Sequence, residues 1–340
     1  MKIYTGFFNM NILIEGFNKS IHKKDNQLVI KQKDTVLDSI KADKISSIVI
    51  IGKGYITFDA LTLISKNNIK LISMDYSGKL NYLIESPDWR NVKIKKQQYL
   101  LSENKKGINI SREIIKSKMI NQKATLTTLN KRRKIKQINE IKDNITLQIN
   151  KLNSIKLTNN HEKVKMQIMG CEGKASVHYW NGIKLLIPKD IGFEKRTKKP
   201  TDLLNSMLNY GYAILATEIT KSILINGLDP YCGFLHFDMD NRTSLTYDLI
   251  EDFRQQLVDK TVLNLINRKQ VTNNDLDKRN KSIKLEKRKL IISKIQEKLH
   301  STIKYNDEEV TYSEIINKQS SNLVKTLLND EKFKGFNLHW

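Results

Sequence analysis

The scarcity of proline, and where it falls, limits the possible folds of this chain more than any other feature. Only four prolines occur in 340 residues: Pro87, Pro188, Pro200 and Pro230. Proline breaks helices and is excluded from central strands, so long stretches without it leave room for long helices. Beyond residue 88, apolar residues recur at three- and four-residue spacing, which is typical of helices. We predict that the three later prolines mark helix ends.

The first 88 residues have a different pattern. Short runs rich in β-branched residues, at 28–30 and 48–51, alternate with polar turns and predict strands. One helix fits residues 57–65, and a further strand follows at 69–74. The segment Ser86-Pro87-Asp88 favours a turn, since the residue before proline is pushed away from helical geometry. We place a domain boundary there.

Two long helices are predicted in the second domain. Asp202 can cap a helix that ends at Gly227, and Ser244 can cap another that continues to residue 266. The predicted fold class is therefore α+β. A small β-rich domain of one sheet and one helix covers residues 1–88, and a larger all-helical domain covers residues 89–340.

Charge separates the two domains and limits the partners. Of the net charge of +23, residues 1–90 carry +4 and residues 91–340 carry +19, so the second domain would attract a polyanion. No apolar run approaches the ~18 residues of a spanning helix, and the first residues lack the pattern of a signal peptide. Two cysteines cannot frame a disulfide scaffold. We expect a cytoplasmic protein that has no membrane partner.

An acidic cluster interrupts the basic second domain between residues 226 and 252. It holds six acids and His236 against one base, Arg242. Like charges this close repel unless water or a cation lies among them, and hard divalent cations prefer carboxylate oxygens. On the second predicted helix, Asp248 and Glu251 would point the same way. From spacing alone, a solvated helix face explains these acids equally well, and His236 fits a core or turn residue.

Glu172 is a separate candidate because it lies among small and apolar residues, in Met169-Gly170-Cys171-Glu172-Gly173. A carboxylate in such surroundings needs a partner, and a metal ion is one. The alternative is a carboxylate in the first turn of a helix through Ala175 and Tyr179, where it would meet the positive end of the helix dipole. The residues leave both interpretations open.

Four ordered segments resemble the signature blocks of a known family. They are GCEGKASVHYW (170–180), DLLNSMLNYGYAIL (202–215), NGLDPYCGFLH (226–236) and SLTYDLIEDFRQQLVD (244–259). Their order and spacing resemble the CRISPR adaptation integrase family, the metal-dependent endonucleases universal to CRISPR spacer acquisition. The strand-rich first domain is also similar to that family, so the resemblance covers nearly the whole chain.

The resemblance implies an assembly and a set of site residues. It implies a homodimer formed through the β-domains, and a small ferredoxin-like CRISPR adaptation subunit that bridges two dimers. The substrates would be double-stranded DNA, namely the spacer precursor and the CRISPR repeat. Glu172, His236 and Glu251 match the family's metal triad, with Asp248 as a nearby catalytic acid. Two positions match supporting residues of the family, Asn205 and Arg254.

The implied chemistry suits these ligands. Two carboxylates and an imidazole can bind Mg²⁺ or Mn²⁺, which would assist attack of a DNA 3′-hydroxyl on a phosphodiester. Lysine and arginine contacts to phosphate would provide most of the DNA affinity, although any one of them could simply be a solvated surface residue. The candidate DNA-binding residues are Arg196, Lys198, Lys199 and Arg242 near the site, and Lys131, Arg132 and Arg133 further out.

Three other functions stay open at this point. A transposon-borne integrase would use the same triad on different DNA ends. A repair nuclease that cuts branched DNA would use the same metal site for hydrolysis. A basic DNA-binding scaffold would need no metal at all.

Overall fold

The computed structural model of this chain describes residues 2–5, 10–75, 80–86, 91–200, 202–235, 242–277, 282–329 and 331–337. The chain divides into two compact units, Met1–Val92 and Lys93–Trp340. The boundary predicted at Pro87-Asp88 lies outside the described residues.

The described part of the first unit contains one sheet, one α-helix and a short 3₁₀-helix at Ala42–Lys44. Its elements are β1 (Lys2–Thr5), β2 (Met10–Lys24), β3 (Gln27–Gln32), β4 (Thr35–Lys41), β5 (Ile45–Ile56), α1 (Phe58–Lys66), β6 (Lys70–Met74) and β7 (Leu80–Ile84). The strand order is β4-β3-β2-β5-β6-β7, and β1 also pairs with β2. β5 runs parallel to its neighbours β2 and β6, and the other pairs are antiparallel.

Two glycines allow the central strands β2 and β5 to approach. Gly16 and Gly52 are paired across this ladder, both with positive φ, at 101° and 149°. A Cβ atom on Gly52 would lie 1.8 Å from the carbonyl oxygen of Gly16, so no larger residue fits there.

Helix α1 confirms the helix predicted at residues 57–65. The Thr57 hydroxyl accepts a hydrogen bond from the Ala60 amide at 3.3 Å and caps the helix. Ala60 and Ile64 of α1 pack with Ile12, Leu28 and other buried strand residues into the core of this unit.

The described part of the second unit is mostly helical. Its α-helices are α2 (Val92–Ser102), α3 (Lys105–Asn130), α4 (Gln137–Ser154), α5 (His161–Leu185), α6 (Leu203–Ile225), α7 (Ser244–Leu249), α8 (Lys260–Asn267), α9 (Leu285–Leu299) and α10 (Tyr312–Leu328). A 3₁₀-helix (Ile250–Asp252) and a π-helix (Arg254–Asp259) separate α7 from α8, and short 3₁₀-helices lie at Lys189–Ile191 and Asn273–Asp275.

Helices α3 and α6 position the segment that joins α7 to α8. Helix α3 packs against α5 and against residues 250–259, and α6 packs against the same segment. Asp202 caps α6 as predicted, since its carboxylate accepts a hydrogen bond from the Asn205 amide at 2.8 Å. Gly227 follows the end of α6 with a φ of 78°, which suits a helix terminator.

One element of the second unit departs from the all-helical prediction. Strands β8 (Thr302–Tyr305) and β9 (Glu308–Thr311) form an antiparallel hairpin between α9 and α10. Its turn residues Asn306 and Asp307 both have positive φ, at 50° and 65°, the geometry of a two-residue hairpin loop. Each strand has only four residues, too few for an alternating pattern to stand out between two helical segments.

None of the helices in the described part of the chain combines the length and apolar character needed to cross a membrane.

Candidate metal and nucleic-acid site

Glu172 lies in the middle of α5. This helix begins at His161, with the Asn160 side chain as its cap. The alternative in which Glu172 meets the helix dipole in the first turn is therefore wrong, because Glu172 lies about three turns after the start of the helix. The stabilisation of a carboxylate by the helix dipole falls off within the first turn. Glu172 Oε1 instead accepts hydrogen bonds from Lys118 Nζ at 2.5 Å and from Ser176 Oγ at 2.7 Å. The Glu172 side chain is 25% exposed, so the carboxylate is open to solvent on one side.

Lys118 of α3 joins Glu172 to Glu251. Its Nζ lies 2.7 Å from Glu251 Oε2, and the Lys118 and Glu251 side chains are only 9% and 6% exposed. Burial alone would lower the pKa of Lys118, but the carboxylates of Glu251 and Glu172 outweigh it and the pKa is raised. Two carboxylates from separate elements thus converge on one positive charge.

The continuous helix predicted after Ser244 is wrong. Residues 244–249 are α-helical, residues 250–252 form a 3₁₀-helix, and residues 254–259 form a π-helix. Thr243 is the N-cap residue and makes no side-chain cap bond. The acids of this segment are buried and face different partners, so they form no solvated helix face.

Asp248 accepts hydrogen bonds from the backbone just before His236. Its Oδ2 accepts hydrogen bonds from the backbone N–H groups of Phe234 and Leu235, at 2.6 and 3.0 Å, and the residue is fully buried. These two amides immediately precede His236 in the chain. Asp248 therefore holds the backbone that leads into the third predicted ligand.

Asp252 is bound to the C-terminal segment, residues 331–337. Its Oδ2 accepts a hydrogen bond from Phe336 N at 3.1 Å, and the Phe336 ring stacks on Phe253 with ring centres 4.9 Å apart. Asn121 Nδ2 donates to the carbonyl oxygens of both Asp252 and Phe336, at 2.9 and 2.8 Å. Burial raises the pKa of Asp252 well above its ordinary value, although the Phe336 amide opposes this. The C-terminal segment thus fixes the residue next to Glu251.

Asp259 lies in an aromatic cage. It accepts hydrogen bonds from the hydroxyls of Tyr179 and Tyr212, at 2.8 and 2.5 Å. Burial raises its pKa to about 6, although the two tyrosines and the charges of Arg254 and Arg196 oppose the shift. Asp259 lies at the end of the π-helix and binds it to α5 and α6.

A basic pocket of about 390 Å³ adjoins the two carboxylates; Glu172, Lys118, Arg196 and Arg254 all line it. Arg254 Nη1 lies 3.2 Å from Glu251 Oε1, and its guanidinium stacks 4.7 Å from the centre of the Tyr212 ring. Arg196 stacks over the same ring, at 5.4 Å. Two arginines are therefore held in fixed orientations beside the carboxylates, which suits phosphate binding.

Asn205 positions the loop that carries Arg196. The fully buried Asn205 side chain accepts hydrogen bonds from Arg196 Nη1 and Thr197 N, both at 2.9 Å, and donates to Lys195 O at 2.9 Å. These three hydrogen bonds hold the loop at residues 195–197 against α6.

The other predicted DNA-binding residues lie on the surface. Lys198 and Lys199 are exposed on the loop that carries Arg196. Arg242 is half-buried, and its guanidinium lies 5.2 Å from the centre of the Tyr247 ring. Lys131, Arg132 and Arg133 are exposed just after α3, and Arg133 donates to Asn267 Oδ1 at 2.9 Å.

His236 lies outside the described residues, as do Asp238 and Asp240. In the part of the chain that the structure describes, no three His, Cys, Asp or Glu side chains are grouped as metal ligands. Glu172 and Glu251 supply two of the three predicted ligands. Their oxygens lie 2.5 and 2.7 Å from one ammonium, so this donor pair fits a cation, and carboxylate oxygens suit a hard divalent one.

Sequence reasoning missed Lys118. The signal is visible in α3, where Ser111, Lys118, Gln122 and Thr125 share the helical spacing of the buried isoleucines. A lysine on the buried side of a helix needs an acidic partner, and the two carboxylates supply it.

This chain is thus an α+β protein whose helical unit brings two carboxylates, Glu172 and Glu251, together at the Lys118 ammonium, beside two arginines. Such a site suits a cation and a phosphate group. Comparison with known proteins gives the family. The family model described as CRISPR associated protein Cas1 matches residues 12–297. This chain belongs to the Cas1 family.

Two curated relatives match over nearly the full chain. One is a CRISPR-associated protein Cas1 from Methanobrevibacter ruminantium, 54% identical, with 97% of this chain and 100% of the relative covered. Another is a CRISPR-associated endonuclease Cas1 from Archaeoglobus fulgidus, 35% identical, with the same coverage.

Solved structures share the fold. A casposase bound to integration product matches with a TM-score of 0.70 and 27% identity, covering 96% of this chain and 92% of the casposase. A chain of a partial Cas6-RT-Cas1–Cas2 complex matches with a TM-score of 0.76 and 20% identity, covering 98% and 100%.

Proposed function

We propose that this chain is a metal-dependent DNA endonuclease and integrase that inserts new spacer DNA into a CRISPR array. The observation that carries the proposal is the convergence of Glu172 and Glu251 on one positive charge, beside a pocket that Arg196 and Arg254 line. Relatives named as endonucleases, and the likeness to a casposase bound to integration product, support a reaction on DNA.

The proposed cofactor is Mg²⁺ or Mn²⁺, held by Glu172, Glu251 and His236. When bound, such an ion neutralises charge on the reacting phosphate and favours the deprotonated nucleophile. Before it binds, Lys118 offsets the repulsion between Glu172 and Glu251 and keeps the two side chains together.

The proposed reaction is a transesterification. The 3′-oxygen of the incoming strand forms a bond to a backbone phosphorus, and the bond from that phosphorus to its own 3′-oxygen breaks. The proton of the attacking hydroxyl ends on the departing oxygen, so the number of phosphodiester bonds is unchanged. With water as the nucleophile, the same site would hydrolyse the strand.

The arginines would bind the phosphate oxygens. Arg254 is oriented by Glu251 and Tyr212, and Arg196 by Asn205 and Tyr212, so neither guanidinium must be ordered when the phosphate arrives. A preorganised guanidinium beside a reacting phosphate stabilises the charge that develops in the transition state.

The first unit is the proposed dimerisation domain. Several of its large apolar side chains are exposed, among them Phe58 at 88%, Tyr55 at 63% and Phe17 at 55%. Exposed apolar side chains of this size are typical of a surface that a partner covers. We also propose a small ferredoxin-like Cas2 subunit as a partner, in line with the Cas2 complex that contains a structural neighbour.

The experiment is a strand-transfer assay with purified protein. A labelled duplex with free 3′-hydroxyls is mixed with a supercoiled plasmid that carries a CRISPR repeat, in Mn²⁺ or in EDTA, with and without the small partner. Glu251→Gln and His236→Ala test the site. Glu308→Gln is the matched control, because Glu308 is an exposed acid already paired with Lys318.

We expect label in the plasmid only with Mn²⁺, and only for the wild type and Glu308→Gln. Transfer that persists in Glu251→Gln would contradict the assigned ligands. Metal-dependent cutting without joining would favour the branched-DNA repair nuclease, and salt-sensitive binding with neither reaction would favour the scaffold. The casposase likeness favours a second candidate, a transposon-borne integrase, which would join DNA into plasmids regardless of the repeat.

A further inference from the structure

A groove on the second unit takes no part in the site described above. It lies between the C-terminal end of α4 and the first half of α5, and the loop between them, residues 155–160, borders it. Its volume is about 790 Å³, and Gln148, Gln167 and Asn160 contribute amide groups to its lining.

The groove is strongly basic. Lys151, Lys156, Lys163 and Lys174 line it, and no aspartate or glutamate does. Within the described residues, none of these four lysines has a carboxylate partner within 4.0 Å. Four unneutralised ammonium groups around one groove repel each other, and an anionic ligand would relieve that repulsion.

Helix α5 separates this groove from the carboxylate site. Lys163, Gly170 and Lys174 line the groove, whereas Glu172, Gly173 and Ser176 line the pocket that holds Arg196 and Arg254. Residues 172 and 174 point to opposite sides of a helix, since each residue turns it by about 100°. One helix diameter, about 10 Å with side chains, divides the two basic sites.

Two glycines leave the surface of α5 without side chains between the groove and the carboxylate site. Gly170 and Gly173 lie in the middle of α5, and a Cβ atom added to either would meet nothing within 4 Å. None of the residues that the structure describes requires glycine at these positions, and glycine weakens a helix relative to alanine. A bare helix surface of this kind permits close approach of a ligand from outside.

We infer that a DNA strand engaged at the carboxylate site crosses α5 over Gly170 and Gly173, and that Lys151, Lys156, Lys163 and Lys174 bind its backbone phosphates in the groove beyond. This inference rests on the proposed DNA reaction and adds a binding site for the same strand. Lysines spaced along an open groove that no aromatic side chain lines can follow a phosphate backbone without reading its sequence.

Cys171 is a natural reporter for this groove. It lines the groove and is half-buried, whereas Cys232, the other cysteine of the chain, is buried. A small maleimide should therefore modify Cys171 and not Cys232, and Cys171→Ser should abolish the modification. DNA lying in the groove should cover Cys171.

The experiment measures the rate of Cys171 alkylation in EDTA against the concentration of a short single-stranded DNA. DNA binding by the whole protein is followed in parallel by fluorescence anisotropy. The test variant is Lys156→Gln with Lys163→Gln. The matched control is Lys184→Gln with Lys318→Gln, which removes the same charge from surface lysines that Glu194 and Glu308 already neutralise.

Saturating DNA should slow alkylation of the wild type and the control at least about tenfold. The test variant should need about tenfold more DNA for the same protection. Its binding should also lose about 1.4 from the slope of log affinity against log salt, since each single-strand phosphate contact contributes about 0.7.

Unchanged alkylation at saturating DNA, with DNA binding and strand transfer intact, would overturn the groove and leave the proposed function standing. Equal protection in the test and control variants would also overturn it. Loss of all DNA binding in the wild type would overturn both proposals together.

Discussion

Lys118 Nζ lies 2.7 Å from Glu251 Oε2 and joins two distant segments of the second unit. The same ammonium lies 2.5 Å from Glu172 Oε1. One buried positive charge therefore faces two carboxylates. Without Arg254, these three groups together carry a net negative charge. A divalent cation would balance that pair better than a lysine does, so the ammonium and a metal ion should compete for the same oxygens.

Lys118→Met should destabilise the metal-free protein. Removing one partner of a buried ion pair leaves an uncompensated charge, and Glu251 is only 6% exposed, so we expect a loss of about 3 kcal/mol in unfolding free energy. Added Mn²⁺ should stabilise the variant more than the wild type, because no ammonium competes. Urea unfolding in EDTA and in Mn²⁺ measures both effects.

Lys116→Met is the control on the same helix. Lys116 is partly exposed and lies 3.7 Å from Glu113, an ion pair of little expected weight. Its stability should stay within about 0.5 kcal/mol of the wild type. A Lys118→Met protein that gains no more from Mn²⁺ than the control would show that Lys118 does not occupy the cation position.

Asp248 offers a test of positioning against metal binding. Asp248→Ala removes the acceptor for Phe234 N and Leu235 N and should lower strand-transfer activity by about 10–100-fold, since the chain leading to His236 loses its anchor. Asp248→Asn keeps a carbonyl acceptor and should retain most activity. A result in which Asn is as damaging as Ala would instead make the charge of Asp248 necessary, as expected of a direct ligand.

The fold was predictable from sequence because its signals are local. Strand and helix periods, the Asp202 cap and the placement of proline each act over a few residues. The hairpin at residues 302–311 was missed because four-residue strands between two helices leave little periodic pattern.

The site was only partly predictable because its geometry depends on contacts between distant segments. The sequence pattern from Ser244 to residue 266 predicts one continuous amphipathic helix. Asp248, Asp252 and Asp259 each bind a different partner there, and after α7 the α-helix is replaced by a 3₁₀-helix and a π-helix. The spacing of residues within one segment cannot indicate partners that lie on other segments. Lys118 was missed for the same reason, since its acids lie on other elements.

Asn121→Ala should weaken the attachment of the C-terminal segment. The variant leaves the carbonyl oxygens of Asp252 and Phe336 without the amide that now bridges them, at a cost of about 1–3 kcal/mol. We expect faster hydrogen exchange at the Phe336 amide, which donates a hydrogen bond to Asp252. We also expect weaker Mn²⁺ binding, because Asp252 adjoins Glu251. Exchange measured by mass spectrometry checks the first effect.

The control for this helix is Thr127→Ala, where an exposed hydroxyl donates a hydrogen bond to Lys123 O of the same helix. It should leave exchange at the C-terminal segment unchanged. Equal protection of Phe336 N in Asn121→Ala and the wild type would show that Asn121 does not hold the segment.

Asp259 should make stability fall as the pH rises through about 6. Burial raises its folded pKa from an ordinary 3.8 to about 6, so the folded state holds its proton over a range in which the unfolded state has lost it. The stabilisation is complete below pH 3.8 and is lost above about 6, which amounts to about 3 kcal/mol for a shift of about two units.

Asp259→Asn cannot ionise, so its stability relative to wild type should rise by that amount between pH 4 and pH 7.5. Asp252 has a raised pKa in both proteins and cancels in the comparison. Urea unfolding across this range measures the difference, and parallel curves for the two proteins would show that Asp259 stays ionised in the folded state.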